Sequence, residues 1–282
     1  MRKISFLFVL FLMAMPLGAR ADVVKGDVNA DGLLNITDVS QFVNYLLNEQ
    51  GSTINQENAD ISDDGLVNIT DVTLLIELLL SMQYEYVDLG LPSGTLWATC
   101  NIGARAPEDY GSYFAWGETE PKDYYYWDNY KWCNGTFDTM IKYCIFSKFG
   151  TVDNKTELDL EDDAAYVNWG SSWRMPSWDQ FEELRTQCTW TKTTLNGVNG
   201  RLGTGPNGNT LFLPAAGLRV VDILQDAGTE GFYWGRELYP YAEEDDDTPF
   251  AAVFSFDSEH IARGGLSPLA GISVRPVRVT QD

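Results

Sequence analysis

Histidine is almost missing from this chain: His260 is the single one in 282 residues. Zinc sites built on paired histidines are therefore excluded, and only one Ser–His or Cys–His arrangement remains open. The surrounding Asp257-Ser258-Glu259-His260-Ile261-Ala262-Arg263 carries no catalytic signature, so His260 reads as a surface or turn residue. Basic charge is scarce too, with 19 Lys and Arg against 41 Asp and Glu and a formal net charge of −22. Phosphate contacts need Lys and Arg, which argues against nucleic acid or anionic membrane as a partner. Long apolar runs are absent beyond the first residues, so no membrane span is expected in the mature chain. Cysteine is limited to Cys100, Cys133, Cys144 and Cys188.

The one apolar run lies at the start. Arg2 and Lys3 precede the apolar stretch Ile4–Leu17, and Ala19-Arg20-Ala21 gives a small-x-small cleavage pattern. Residues 1–21 thus read as a signal peptide, and the mature protein is expected to be secreted or at the cell surface. In that compartment the four cysteines can pair. Cys133–Cys144 closes the shorter loop, leaving Cys100 with Cys188; free thiols in a core are the alternative, since Cys188 also fits the buried face of a helix.

Residues 22–82 contain one pattern stated twice. Asp27, Asn29, Asp31, Leu33, Asn35 and Asp38 occupy positions 1, 3, 5, 7, 9 and 12 of a 12-residue loop with Gly32 at position 6. Asp60, Ser62, Asp64, Leu66, Asn68 and Asp71 repeat it 33 residues later around Gly65 (60 − 27 = 33). Ca²⁺ takes six to eight oxygen ligands, position 7 supplies only a backbone carbonyl, and glycine makes the sharp turn at position 6. Two ions are expected. Both loops end in aspartate where the usual motif has glutamate, and Ser62 is a weaker ligand than Asn29 at the same place.

A helix is predicted after each loop. Val39, Phe42, Val43, Leu46 and Leu47 form one amphipathic stripe, which Val72, Leu75, Ile76, Leu79 and Leu80 repeat. Asp38 and Asp71 then fall in first helical turns, where an acid suits the helix dipole. Between Asp22 and Met82 there are eleven acids and one base, Lys25, so bound cations should stabilise the segment. Gln50–Asn58 reads as a polar linker between the repeats.

Loop then helix, twice, with no helix ahead of the first loop, resembles a type I dockerin domain. That resemblance covers about Lys25 to Met82 and implies calcium-dependent folding and docking onto a cohesin-like domain of another protein. Positions 10 and 11, which help to select the cohesin in that family, are Ile36-Thr37 and Ile69-Thr70 here. The two copies agree with each other but lack the usual hydroxyl pair, so no cohesin class carries over.

Residues 86–282 have a different character: short β-like runs between glycine turns. Strands are predicted over Tyr86–Leu89, Thr95–Asn101, Gly111–Trp116, Thr189–Leu195, Leu211–Leu213, Phe250–Phe256 and Ile272–Val279. Leu91-Pro92-Ser93-Gly94 and Asn196-Gly197 read as turns. Ser177–Cys188 reads as a helix capped by Ser177 and Gln180, with Trp178, Phe181, Leu184 and Cys188 buried. Gly203–Gly208 fits a dinucleotide-binding pattern by letter but precedes no helix, so it reads as a hairpin turn. The acidic runs Glu157–Asp163 and Glu243–Asp247 read as solvated loops, with a second cation site as the alternative.

Tyr113-Phe-Ala-Trp-Gly-Glu118, Asn168-Trp-Gly170, Trp173-Arg-Met-Pro176, Leu213-Pro-Ala-Ala-Gly217 and Ser273-Val-Arg-Pro-Val-Arg278 resemble the Fibrobacter succinogenes major paralogous domain. That family is similar to C-type-lectin-like folds and contributes no catalytic residue. The expected architecture is therefore a small all-α calcium loop-helix repeat followed by a larger, strand-rich α+β, C-type-lectin-like domain. The dense run around Trp127, Tyr130 and Trp132 offers a stacking platform for sugar, although a large aromatic core draws on the same residues.

The leading expectation is a non-enzymatic protein that docks through calcium loops onto a cohesin-like or other surface partner and presents a lectin-like, glycan-binding module. A polysaccharide-degrading component with two unassigned carboxylates is one rival. A surface structural protein whose calcium repeats act as an intramolecular clamp is the other, with burial of Ile36, Leu74 and Leu78 as its mark.

Overall fold

The computed structural model describes residues 25–31, 34, 36–47, 52–82 and 84–278, with 80–82 through their backbone alone. The leader, Gly32, and the ligand candidates Leu33 and Asn35 lie outside the described residues. The chain divides into two compact units, one ending at Val72 and the other starting at Thr73.

In the first unit, helix α1 (Ile36–Leu46) follows the first loop, and α3 (Ile69–Met82) follows the second and continues past the unit boundary. Asp38 and Asp71 stand in the first turns, as the sequence predicts. The apolar stripes bury their leading residues, Val39 and Phe42 in α1 and Val72 and Leu75 in α3. They fray further on: Leu47 lies past the end of α1 and is exposed, and Ile76 stands exposed on α3. The segment predicted as a polar linker contains a short helix, α2 (Gln56–Ala59), because the Asn55 side chain accepts hydrogen bonds from the Glu57 and Asn58 backbone N–H groups.

The second unit carries several small sheets. Strands β1 (Tyr86–Asp88), β2 (Leu96–Ala98), β3 (Trp173–Arg174) and β12 (Val277–Arg278) form a four-stranded sheet in the order β1-β2-β12-β3. Strands β4 (Thr189–Leu195), β5 (Val198–Thr204) and β6 (Thr210–Pro214) form an antiparallel meander. Strands β9 (Gly231–Leu238), β10 (Ala251–Phe256) and β11 (Ile261–Leu266) form a second three-stranded sheet, and β7 (Leu218–Val220) pairs with β8 (Ile223–Gln225). Helices α4 (Ala164–Trp169) and α5 (Trp178–Gln187) complete it.

Local chemistry explains the elements read correctly. Asn196 and Gly197 both take positive φ, 47° and 87°, which suits a two-residue turn between β4 and β5. Gly203–Gly208 is the hairpin turn between β5 and β6, closed by Gly205 N–H to the Asn209 carbonyl at 2.9 Å. Ser177 and Gln180 form the reciprocal capping box of α5, with Phe181 and Leu184 buried beneath it. Trp178 departs from that face and is half-buried under Arg263.

Two predicted strands shrink. Phe114 makes only an isolated bridge to Ile272, and within Ile272–Val279 the described strand is Val277–Arg278. The backbone bonds of Gly111–Trp116 go instead to scattered carbonyls, Phe114 N–H to Ile272 and Trp116 N–H to Pro268. Large rings fill the space between the small sheets: Trp116, Trp169, Trp173 and Trp234 in one cluster, and Trp97, Phe181, Tyr233 and Phe254 in another. Buried Arg275 holds the chain's end by donating to Asn101 Oδ1 and to the Ala98 and Thr99 carbonyls at 2.8–3.1 Å.

Candidate functional site

The two acidic loops share their internal bonds. Asn29 N–H donates to Asp38 Oδ1 at 3.1 Å, and Ser62 N–H donates to Asp71 Oδ1 at 3.0 Å, tying position 3 to position 12 in each copy. Position 1 acts alike in both: Asp27 Oδ1 accepts from Asp31 N–H, and Asp60 Oδ2 accepts from Gly65 N–H. Ala30 and Asp63, both at position 4, take left-handed φ of 58° and 57°. Gly65 follows with φ +79° and open space around it, the sharp turn that glycine permits.

Asp27, Asp38 and Asp71 are buried although they are acids. Burial acts to raise the pKa of Asp71, but the backbone N–H groups of Ser62 and Asn68 outweigh it and hold the carboxyl below its ordinary value. Asp31, Asp64, Asn29, Ser62 and Asn68 lie along the same loops, and Leu66 is exposed. This donor set of carboxylate, amide, hydroxyl and carbonyl oxygens fits a hard divalent cation. Asp27, Asn29, Asp31 and Asp38 would hold one ion; Asp60, Ser62, Asp64, Asn68, Asp71 and the Leu66 carbonyl would hold the other. Position 10 is exposed in both copies, Ile36 at 69% and Ile69 at 68%. Leu74 and Leu78 are half-buried.

The acidic run Glu157–Asp163 is no solvated loop. Among the described residues, Asp159, Glu161 and Asp162 form the group of three acids with the closest oxygen atoms, all within 4.8 Å. Lysine already neutralises it: Lys142 Nζ lies 2.6 Å and Lys131 Nζ 2.9 Å from buried Asp162. Its neighbour Asp163 caps α4 and accepts from the N–H groups of Ala165, Tyr166 and Met175. Glu118, also buried, pairs with Lys122 at 2.9 Å. These buried carboxylates are committed to holding the fold. His260 is exposed, 3.6 Å from Asp257.

The predicted sugar platform does not form a face. Tyr130 is buried and donates to the Trp116 carbonyl, Trp132 Nε1 donates to the Gly117 carbonyl, and Lys131 and Lys142 cover the Trp132 ring. Trp127 turns its ring edge-on to Tyr130. Backbone carbonyls inside the core need those donors, so the aromatic run serves the interior.

All four cysteines are free thiols. The pairings Cys133–Cys144 and Cys100–Cys188 are not formed. Cys133 Sγ is turned to the Trp127 carbonyl at 3.1 Å and Cys144 Sγ to the Phe146 carbonyl at 3.2 Å, each satisfied within its own loop.

Sequence reading missed an aromatic cleft of about 360 Å³ beside α5. Trp178 stands edge-on to Tyr239 and Tyr241, at 5.7 and 6.1 Å between ring centroids. The Arg263 guanidinium lies 3.9 Å over Trp178, and Glu182 holds both Arg263 and Arg185 at 2.8 Å. The charged groups are thus fixed beside the rings. The signal was the Trp178 at the first turn of α5, which the helical periodicity assigned to the core.

Residues 25–82 thus hold two acidic loops, each followed by a helix. Residues 25–80 match the family model of the dockerin type I domain. Type I dockerins bind calcium and imply a cohesin partner, and proteins carrying them are typically extracellular or at the cell surface. No curated protein and no solved structure matches the chain. Among the described residues no helix is long and apolar enough to cross a membrane.

Proposed function

We propose that this is an exported, non-enzymatic protein that docks onto a cohesin-like domain through two calcium-filled loops and presents a glycan-binding module. The observation that carries the docking reading is the bond from position 3 to position 12 that both loops share, within the span that matches the dockerin type I domain. Ile36 and Ile69, exposed at equivalent positions, provide an apolar contact on each repeat for such a partner. The test is capture of the full chain by an immobilised panel of cohesin domains, with calcium and with EGTA. Capture that needs calcium and is lost in the variant Ile36→Asp with Ile69→Asp supports docking; no capture in calcium by any cohesin of the panel ends that reading.

For the second unit, Asp162, Asp163 and Glu118 are engaged by lysines and backbone N–H groups. The Trp178–Tyr239–Tyr241 cleft supplies what a sugar needs, aromatic surface beside fixed hydrogen-bonding groups. Affinity electrophoresis on a polysaccharide panel tests it. Retardation that disappears in Tyr241→Ala, whose ring is 67% exposed and outside the core, is the expected result. Equal retardation of that variant and of Trp178→Ala removes the cleft from consideration.

A further inference from the structure

Strand β5 carries a cation on the face that its sheet turns to the core. Opposite residues of paired strands share a face, and the register sets Lys192 of β4 and Leu213 of β6 directly across from Arg201. Trp190, Gly203 and Leu211, the next residues on that side of each strand, continue the face. Leu211 and Leu213 are buried there, and Trp190 packs against the same cluster. Arg201 is buried with them, at 8% exposure.

A buried guanidinium is costly unless acceptors or a counter-charge surround it. Buried Arg275 donates to three acceptors, Asn101 Oδ1 and the Ala98 and Thr99 carbonyls. Arg201 finds one: its Nη2 donates to the Asp257 carbonyl at 2.9 Å, and its Nε is buried without an acceptor. Among the described residues, no carboxylate lies within ion-pair distance of Arg201 or of Lys192. Acids outnumber bases by 41 to 19, so the lack of a partner belongs to the place and not to the composition.

A cleft of about 170 Å³ opens on this pair. Lys192 lines it from the edge strand β4, and Phe256, Asp257 and Ser258 line it from the end of β10. The neighbouring acids are engaged elsewhere. Asp257 Oδ1 accepts from the N–H groups of Glu259 and His260. Glu230 is held above its ordinary pKa by burial and then by Asp226 and Asp257, with no basic group offsetting them. Asn199 and Thr229 donate to the Gly228 and Asp226 carbonyls, which leaves Arg201, Lys192 and the Ser258 hydroxyl as side-chain donors for a ligand.

We propose that the cleft between Lys192 and Arg201 binds a small oxyanion, a carboxylate or sulfate group, as the counter-charge of the buried guanidinium. Guanidinium N–H groups match the oxygens of either group, and the ammonium across the strand pair adds a second positive charge. The site shares no residue with the aromatic cleft beside α5 and does not depend on calcium docking. Carboxylate and sulfate present the same oxyanion chemistry, and the probes separate them.

Isothermal calorimetry on the full chain tests the site, with sodium acetate and sodium sulfate as probes and sodium chloride of matched ionic strength as reference. Saturable binding of acetate or sulfate is expected, and none of chloride. Binding of acetate alone identifies a carboxylate site, and binding of sulfate alone a sulfate site. Arg201→Gln should weaken the bound probe about ten- to hundredfold, the loss of a charge-assisted hydrogen bond. Arg201→Lys should lose less, keeping charge without the fork. Lys192 is exposed, so Lys192→Gln leaves the core untouched and should still weaken the probe about tenfold. Near-ultraviolet circular dichroism confirms that the variants are folded. Chloride binding as tightly as the oxyanions, absence of saturable binding to both, or unchanged affinity in Lys192→Gln or in folded Arg201→Gln would overturn the assignment.

Discussion

Asp162 and Asp163 are adjacent and both buried, yet the fold pushes their protons in opposite directions. At Asp162 burial acts to raise the pKa, and hydrogen bonds from Lys142, Tyr143 and Lys131 reverse it, leaving the carboxyl below its ordinary value. At Asp163 burial dominates: three backbone N–H groups and Arg174 only partly offset it, and the pKa is raised. The signs of their linkage to stability follow. Asp162 contributes stability that is present above the unfolded carboxyl value of about 3.9 and lost as pH falls through its lower folded value. Asp163 subtracts stability as pH rises from that unfolded value through its higher folded one. Urea midpoints measured from pH 3 to 7 should therefore show Asp162→Asn costing about 1–3 kcal/mol at neutral pH and little in acid. Relative to wild type, Asp163→Asn should lose more in acid than at neutral pH. Parallel difference profiles for the two variants would contradict this.

Trp116 and Trp234 fasten each other's chain segment. Trp116 Nε1 donates to the Gly235 carbonyl and Trp234 Nε1 to the Phe114 carbonyl, both at 2.8 Å and both fully buried. Replacing either indole with phenylalanine orphans a buried carbonyl and leaves a cavity, at a cost of roughly 2–4 kcal/mol. Both bonds cross the same pair of segments, so the double variant should cost less than the sum of the single ones. Equilibrium unfolding of the three variants checks this; strict additivity would show two independent contacts.

Calcium should stabilise the first unit. At a hundredfold excess over its dissociation constant, an ion bound only to the folded loop adds about 2.7 kcal/mol. Calorimetry is expected to count two ions per chain, and EGTA should lower the unfolding temperature of the first unit. Asp27→Ala with Asp60→Ala removes position 1 from both loops and should abolish both effects. Two ions retained by that double variant would show that the loops are not the sites.

How much of this was legible follows from the range of the interactions. The acidic loops were readable because their oxygen-bearing side chains lie within 12 residues and the pattern is repeated. The α5 cap was readable because Ser177 and Gln180 are three residues apart. The sugar platform failed because Trp127, Tyr130 and Trp132 satisfy carbonyls that folding brings to them, Trp116 to Tyr130 and Gly117 to Trp132. Strand boundaries slipped where backbone bonds go to irregular partners, as in Gly111–Trp116. Charge runs misled for a related reason: the lysines that neutralise Asp162, Lys131 and Lys142, lie outside the run.

The thiols should react in an order set by burial. Cys100 is half-buried, whereas Cys133, Cys144 and Cys188 are buried. Burial pushes the Cys188 thiol up to about 11 and raises Cys133 and Cys144 as well. The thiolate is the nucleophile, and a rise from 9.0 to about 11 leaves Cys188 with roughly a hundredfold less thiolate near neutral pH, partly offset by the greater nucleophilicity of a more basic thiolate. Iodoacetamide in limited amount should therefore modify Cys100 first and Cys188 last, read by peptide mass spectrometry. After denaturation without reductant all four should alkylate. A peptide joining Cys133 to Cys144 would show instead that the protein closes that loop covalently. The two thiols would then have turned from the Trp127 and Phe146 carbonyls toward each other.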